Sequence, residues 1–231
     1  MITLRTERLV LRDWTDSDRT AFANLNGDLR VAEFLPSPLS PRESDELFEK
    51  IQSHIRAHGF GFYAVELPGE YAFIGYIGLA IPSFEAKFTP CVEIGWRLAA
   101  EHWNQGLATE GARAVVGHAF ENLGIPELFS FTVPANKPSR RVMEKLGMTR
   151  DPAEDFEHPR LPEGHPLRRH VLYRLRREQF SQKALNRGSD PVHSPGILLR
   201  ELGDGMTLRG FARFGRCVNV FRLWRSELAC Y

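Results

Sequence analysis

Glu101-His102-Trp103-Asn104-Gln105-Gly106-Leu107-Ala108-Thr109-Glu110 follows a strand-like run, Val92-Glu93-Ile94-Gly95-Trp96-Arg97-Leu98, and leads into a helix-like stretch through Leu123. A strand that turns through Gly and small residues straight into a helix leaves several backbone N–H groups pointing outward at the positive end of the helix dipole. Such a turn holds a phosphate or a pyrophosphate.

Around this turn the pattern alternates strands and helices. Leu9-Val10-Leu11-Arg12 reads as a strand, and Thr15 as the cap of a helix from Asp16 to about Leu29. Ser40-Pro41 opens a second helix through about His58, with proline at the first helical position. Strands are predicted at Phe62–Leu67, Ala72–Ala80 and Val92–Leu98, then the Thr109–Leu123 helix stopped by Gly124. A strand at Leu128–Val133, a helix at Ser139–Leu146 ended by Gly147 and a strand at Val171–Arg176 complete the series. Two helices after the first strand, then a meander before the phosphate turn, are not a Rossmann repeat. Neither GxGxxG nor GxxxxGK occurs, which argues against dinucleotide and NTP binding.

Composition narrows the classes further. The 231 residues are 42% hydrophobic, 26% charged and 11% aromatic, as in a globular chain with a sizeable core. A net charge of +1 gives no overall field for nucleic acid or membrane. No apolar run approaches the roughly 20 residues of a membrane span. Met1-Ile2-Thr3-Leu4-Arg5 runs directly into strand pattern, so no signal peptide is expected. Cys91, Cys217 and Cys230 form no C-x-x-C and read as reduced, which fits a cytoplasmic protein. Residues 181–231 hold eight Lys/Arg against four Asp/Glu, a net of +4 that leaves −3 for residues 1–180. The turn-rich stretch from Arg187 to Gly196 reads as a linker, so a domain over 1–180 and a basic extension over 181–231 are expected.

Five stretches in order resemble the GNAT superfamily of N-acetyltransferases, in the branch of the ribosomal-protein alanine acetyltransferases RimJ and RimL. They are Thr6-Glu7-Arg8-Leu9-Val10-Leu11-Arg12, Glu93-Ile94-Gly95-Trp96, Trp103 to Glu110, Asn136-Lys137-Pro138-Ser139 onward to Met148, and His170 to Leu175. The resemblance covers roughly residues 1–180. It implies the α/β (α+β) GNAT fold: a mixed central sheet of about six or seven strands, helices on both faces, splayed around an acyl-CoA site. The superfamily's phosphate motif is (Gln/Arg)-x-x-Gly-x-(Gly/Ala). Here Trp103 takes the first position, as is common in this branch, while Gly106 and Ala108 are kept.

Acetyl transfer from a thioester to an amine needs a held donor, an unprotonated amine, oxyanion stabilisation and a proton for the departing thiolate. The resemblance implies acetyl-CoA as co-substrate, its pyrophosphate on the backbone of Trp103, Asn104, Gln105, Gly106, Leu107, Ala108 and Thr109. It implies that Trp96-Arg97-Leu98 pairs with the pantetheine arm as an added strand, with the Leu98 N–H as oxyanion donor, worth roughly 3–4 kcal/mol of barrier. Asn136, Ser139 and Val142 are implied as cofactor contacts. Ser139 is the candidate for protonating the thiolate; the plainer reading is an N-cap serine. Glu93 is the candidate base. Strand alternation sends it with Gly95 and Arg97 to one face, into the cleft where the amine enters; a solvated carboxylate or a partner for Arg97 is the plainer reading. The alternative to direct contact is deprotonation through a water.

The acidic run Asp151-Pro152-Ala153-Glu154-Asp155-Phe156-Glu157 falls in the substrate-facing loop, where carboxylates would attract a cationic amine. His158, His165 and His170, and His54 with His58, lack the companions a metal needs, so no metal is expected. In the extension, Gly203-Asp204-Gly205 reads as a hairpin turn, and Arg209, Arg213, Arg216, Arg222 and Arg225 interleave with aromatics. That mix suits RNA stacking, but a packed strap is the plainer reading, and nucleic acid is not the expected partner. The expected partner is an amine acceptor, either a small molecule or a protein N-terminus; the resemblance admits a homodimer paired through sheet edges and leaves the oligomeric state open. An alternative is a CoA-binding module without turnover, associated with a ribosome or RNA.

Overall fold

Residues 3–180 are described by the computed structural model. The chain runs β1 (Thr3–Arg5), β2 (Val10–Arg12), α1 (Arg19–Gly27), α2 (Pro41–His58), β3 (Phe62–Leu67), β4 (Tyr71–Ala80), β5 (Glu93–Leu98) and α3 (Leu107–Glu121). It continues through β6 (Glu127–Thr132), α4 (Lys137–Leu146), β7 (Thr149–Arg150), β8 (Phe156–Glu157) and β9 (Arg169–Arg176). The extension 181–231, with its expected hairpin and arginine–aromatic mix, lies outside the described residues.

The strands form one mixed sheet in the order β1-β2-β3-β4-β5-β6-β9-β7, with β8 beside β9. All neighbours are antiparallel except β5 and β6. Nine strands replace the six or seven expected. Those the reading missed, β1, β7 and β8, are two or three residues long, too short to show alternation.

Helices cover both faces. On one, α3 and α4 bury Leu107, Val115, Val116, Phe120, Met143 and Leu146 against Ile77, Ile94, Leu128 and Val171. Gly111 makes the close approach possible, since a Cβ there would stand 2.6 Å from Ile77 Cδ1. On the other, α1 and α2 pack Phe22, Leu25, Leu47, Phe48 and Ile51 around Trp14, Phe62 and Tyr76. The Trp14 indole N–H donates to the Phe62 carbonyl at 2.7 Å, which satisfies the polar edge of that buried ring.

Helix α2 starts where expected because Ser40 forms a capping box with Glu43. The Glu43 N–H donates to Ser40 Oγ at 3.3 Å, and the Ser40 N–H to Glu43 Oε2 at 2.8 Å. The first helix differs from its expected span. Residues 16–18 form a single 3-10 turn held by the Thr15 N–H on Asp18 Oδ2, and α1 ends at Gly27 instead of Leu29. Asp18 bonds Arg12 on the neighbouring strand as well, and that tertiary tie tightens the turn. Residues 28–40 are consequently an irregular segment, part of which lines the cleft described below.

Candidate active site

Strands β5 and β6 touch at one register pair, Glu93 with Phe129, fixed by the Phe129 N–H on the Val92 carbonyl at 2.9 Å. Beyond it they part, and the gap becomes a cleft of about 360 Å³. Backbone direction alternates along a strand. The Val92 carbonyl faces β6 and the Ala99 N–H faces β4, on the Ile74 carbonyl at 2.9 Å, so the Trp96 and Leu98 N–H groups face the gap. Trp103 takes the Leu98 carbonyl through its indole N–H at 2.8 Å. This gives the tryptophan at the first motif position a structural task at the end of β5.

The turn at the end of the cleft is built from left-handed backbone. Asn104 has φ 59° and Gly106 φ 81°, the second serving as N-cap of α3. The first intrahelical bond runs from Glu110 N–H to the Gly106 carbonyl at 3.0 Å, so the N–H groups of Leu107, Ala108 and Thr109 have no acceptor within the helix. These amides and the helix dipole favour an anion at this end of the cleft.

A latch fixes the start of α3. Glu110 accepts from Thr6 Oγ1 at 2.6 Å, from the Arg8 N–H at 2.9 Å and from Arg8 Nε at 2.7 Å, while Arg8 Nη1 donates to the Gln105 carbonyl at 3.0 Å. Burial pushes the Glu110 carboxyl up, but the bonds from Thr6 and Arg8 outweigh it and hold the group below the ordinary range. Sequence reasoning gave Thr6, Arg8 and Glu110 no role. The signal was present as two charged motifs far apart in the chain, with nothing local to link them.

Asn136, Ser139 and Val142 line the cleft together with Gly95, Trp96, Arg97, Leu98 and the turn residues Trp103, Asn104, Gly106, Leu107, Ala108 and Thr109. Gln105 is not among the lining residues; its amide donates back to the Glu101 carbonyl at 2.9 Å. The plainer reading of Ser139 as an N-cap is corrected: Asn136 caps α4, its Oδ1 accepting from the Ser139 N–H at 3.2 Å while its amide donates to Thr132 Oγ1 at 3.0 Å. Arg97 lines the cleft with its buried guanidinium turned to the α1 side, donating to Asn26 Oδ1 at 2.7 Å. Arg141 and Lys145, one turn apart on α4, also line the cleft, and the sequence reading passed over them.

Glu93 stands apart from the other candidates. It is 5% exposed and lines a second, smaller cavity of about 110 Å³ on the α2 side with Lys50, Ile51, His54, Phe62 and Phe131. Alternation gave the face correctly, but the side chain lines the smaller cavity instead of the main cleft; Phe131 lines both. Glu93 Oε1 is buried without a hydrogen-bond partner among the described residues, and burial raises the carboxyl well above the ordinary range. Nor does it pair with Arg97 as the plainer reading had it.

The acidic run is absorbed within the fold. Asp155 pairs with Arg150 and Arg169, Glu154 with Arg174 at 2.5 Å, and Glu157 with Arg168 at 3.4 Å, and none of the three carboxylates lines the cleft. His158 and His170 belong instead to an aromatic group with Phe84, Phe131 and Phe156. His54 stacks on His58 with ring centroids 4.4 Å apart.

Known proteins share this arrangement. The profile of the Acetyltransferase (GNAT) domain matches residues 8–149, more than half of the chain. An uncharacterised N-acetyltransferase of Bacillus subtilis, YnaD, is 27% identical over 77% of this chain and 99% of its own. The crystal structure of a GNAT-family acetyltransferase from Bacillus anthracis superposes with a TM-score of 0.64 at 25% identity, covering 77% of this chain and 99% of that one. RimL, the ribosomal L7/L12 α-N-protein acetyltransferase solved with coenzyme A, has the same fold at 16% identity, with a TM-score of 0.61 over 75% and 97% of the two chains. With the parted strands, the amide-lined turn and the family profile in agreement, the chain belongs to the GNAT acetyltransferases and is an acyltransferase that draws on acetyl-CoA.

Proposed function

We propose that residues 1–180 form an N-acetyltransferase domain of the RimJ/RimL-like branch, moving an acetyl group from acetyl-CoA directly to a primary amine. The observation that carries the reading is the gap between β5 and β6 ending on the amides at the start of α3. The amides of residues 104–109 hold the pyrophosphate, with Arg141 and Lys145 beside them as cations for the nucleotide phosphates. The free edge of Trp96 and Leu98 pairs with the pantetheine amides, and the Leu98 N–H receives the charge that builds on the thioester oxygen. Val142 gives an apolar contact along the arm, and Asn136 keeps α4 in place.

In the transfer, the amine nitrogen forms a bond to the thioester carbonyl carbon and the carbon–sulfur bond breaks. The thiolate takes a proton from Ser139, which lines the cleft at the first turn of α4 and draws a replacement proton from water in the cleft. The proton lost by the amine passes to Glu93 through water in the smaller cavity. That cavity exceeds what one water requires, and the unpartnered Oε1 supplies an acceptor. A carboxyl with its pKa raised by burial is matched to a proton donor that titrates at about 8–10, better than an ordinary surface glutamate.

The test is release of coenzyme A thiol from acetyl-CoA over a panel of amines, with calorimetry for coenzyme A binding. Turnover should fall by about 10²–10⁴ in Glu93→Gln and in Ser139→Ala, with coenzyme A affinity kept. Coenzyme A binding without turnover on any amine favours a binding module instead, and no binding at all removes the donor assignment.

A further inference from the structure

The cleft passes through the sheet. Leu98 belongs to the core shared with α3 and α4, whereas Phe131 belongs to the aromatic cluster on the opposite face, and both line it. The amide turn and α4 occupy one end. The other is walled by Val31, Phe34, Leu35 and Pro36 from the segment between α1 and α2, and by Leu161 and Leu167 from the connection between β8 and β9. All but Pro36 are half-buried, so they offer apolar surface to whatever enters from this side.

Among the described residues, the charges lining the cleft are Arg30, Arg97, Arg141 and Lys145 against a single carboxylate, Glu33. Arg30 is engaged by Asp28 and Glu101 at 2.5 Å each, and Arg97 by Asn26. The carboxylates that the sequence offered for a cationic substrate, Glu154, Asp155 and Glu157, are held by arginines outside the cleft. His170 completes the wall, and burial lowers its pKa, which favours the uncharged ring. The acceptor end therefore has an apolar wall and no second carboxylate to meet a second ammonium.

Resting on the acetyl-transfer reading above, we infer that the acceptor is a monoamine on an apolar body, aliphatic or aromatic, and not a polyamine. The apolar wall has a chemical use. An ammonium carried beside it loses hydration, which favours the neutral amine that attacks the thioester. A second ammonium on the same molecule gains nothing there and has to be stripped of water or left outside. The products are the N-acetylated apolar amine and free coenzyme A, and the amine's proton goes to the solvent by way of the base.

The full chain with acetyl-CoA is assayed for thiol release with 2-phenylethylamine, hexylamine, spermidine and an alanine-initiated tetrapeptide. Both apolar amines should exceed spermidine and the peptide in kcat/KM by at least about tenfold. Phe34→Ser and Leu161→Ser should each raise KM for 2-phenylethylamine by about fivefold or more, with the Kd of coenzyme A unchanged, since a lost apolar contact acts on acceptor binding. Spermidine or the peptide as the better substrate overturns the inference and leaves acetyl transfer standing. Unchanged KM in both variants also overturns it. Bound coenzyme A with no amine acetylated overturns the transfer reading and the inference together.

Discussion

Asn136 and Ser139 stand three residues apart, and only the asparagine caps a helix. Because the Asn136 side chain accepts from the Ser139 N–H, Asn136→Ala removes the cap and should lower stability by ~1 kcal/mol. Ser139→Ala removes no cap and should leave the denaturation midpoint in place while abolishing turnover. Chemical denaturation of the two variants separates the roles; a destabilised Ser139→Ala would return the serine to a structural part. Both residue types favour caps, so the sequence motif was compatible with either arrangement, and only the path of the backbone before Lys137 decided between them. Glu93 teaches the same lesson. Strand alternation told its face, since a period of two is local information. That its carboxyl lies in a separate cavity depends on Phe62, Phe131 and α2, which meet it only after folding.

Elements with both local ends written in sequence were legible. Helix α2 has its capping box at Ser40 and its left-handed stop at Gly59, φ 74°, and occupies the span expected from Ser40-Pro41 through His58. Helix α4 stops at Gly147, φ 91°, as expected. The end of α1 was misjudged because no such stop follows Gly27, and the acidic run was misassigned because its arginine partners come from β7 and β9. The latch on α3 is likewise a contact between distant elements, joining the β1–β2 turn to the first helical turn over about a hundred residues of chain. Glu110→Ala removes three hydrogen bonds, two of them from Arg8, and leaves Gln105 tied to an arginine with no counter-charge. We expect a stability loss of ~2 kcal/mol, discounted for the exposure of Arg8, and a several-fold rise in the Kd of coenzyme A because the amide turn loses its brace. Thr6→Val should lose about half as much stability. Calorimetric binding alongside urea denaturation checks both; a destabilised Glu110→Ala with unaltered affinity would mean that the turn is braced by its own backbone.

Across the whole molecule, buried titratable groups set the pH at which the fold is most stable. Burial lowers His54 and His158 to about 4, with the charges of His58 and of His170 and Arg160 adding to the effect. In the unfolded chain each titrates near 6.5, so between these values the unfolded state binds the extra proton and stability is lost as pH falls. Each contributes up to ~3 kcal/mol over that window. Asp155, held low by Arg150, adds a further loss as pH drops through the ordinary carboxylate range. Glu93 acts with the opposite sign. Its folded pKa is raised by burial, so above about 4.5 the unfolded chain ionises while the fold keeps its proton, and stability falls as pH rises toward the folded value. From about 4.5 to 6.5 the two trends oppose, and the histidines prevail by number, so the melting temperature should rise with pH through that window. Calorimetry from pH 4 to 9 should show Glu93→Gln gaining on the wild type as pH rises above about 4.5, where the unfolded chain's glutamate ionises. His158→Asn should flatten part of the acid limb. A Glu93→Gln variant offset from the wild type by the same amount at every pH would mean that the glutamate titrates alike in the folded and unfolded chain, against the burial that raises its carboxyl.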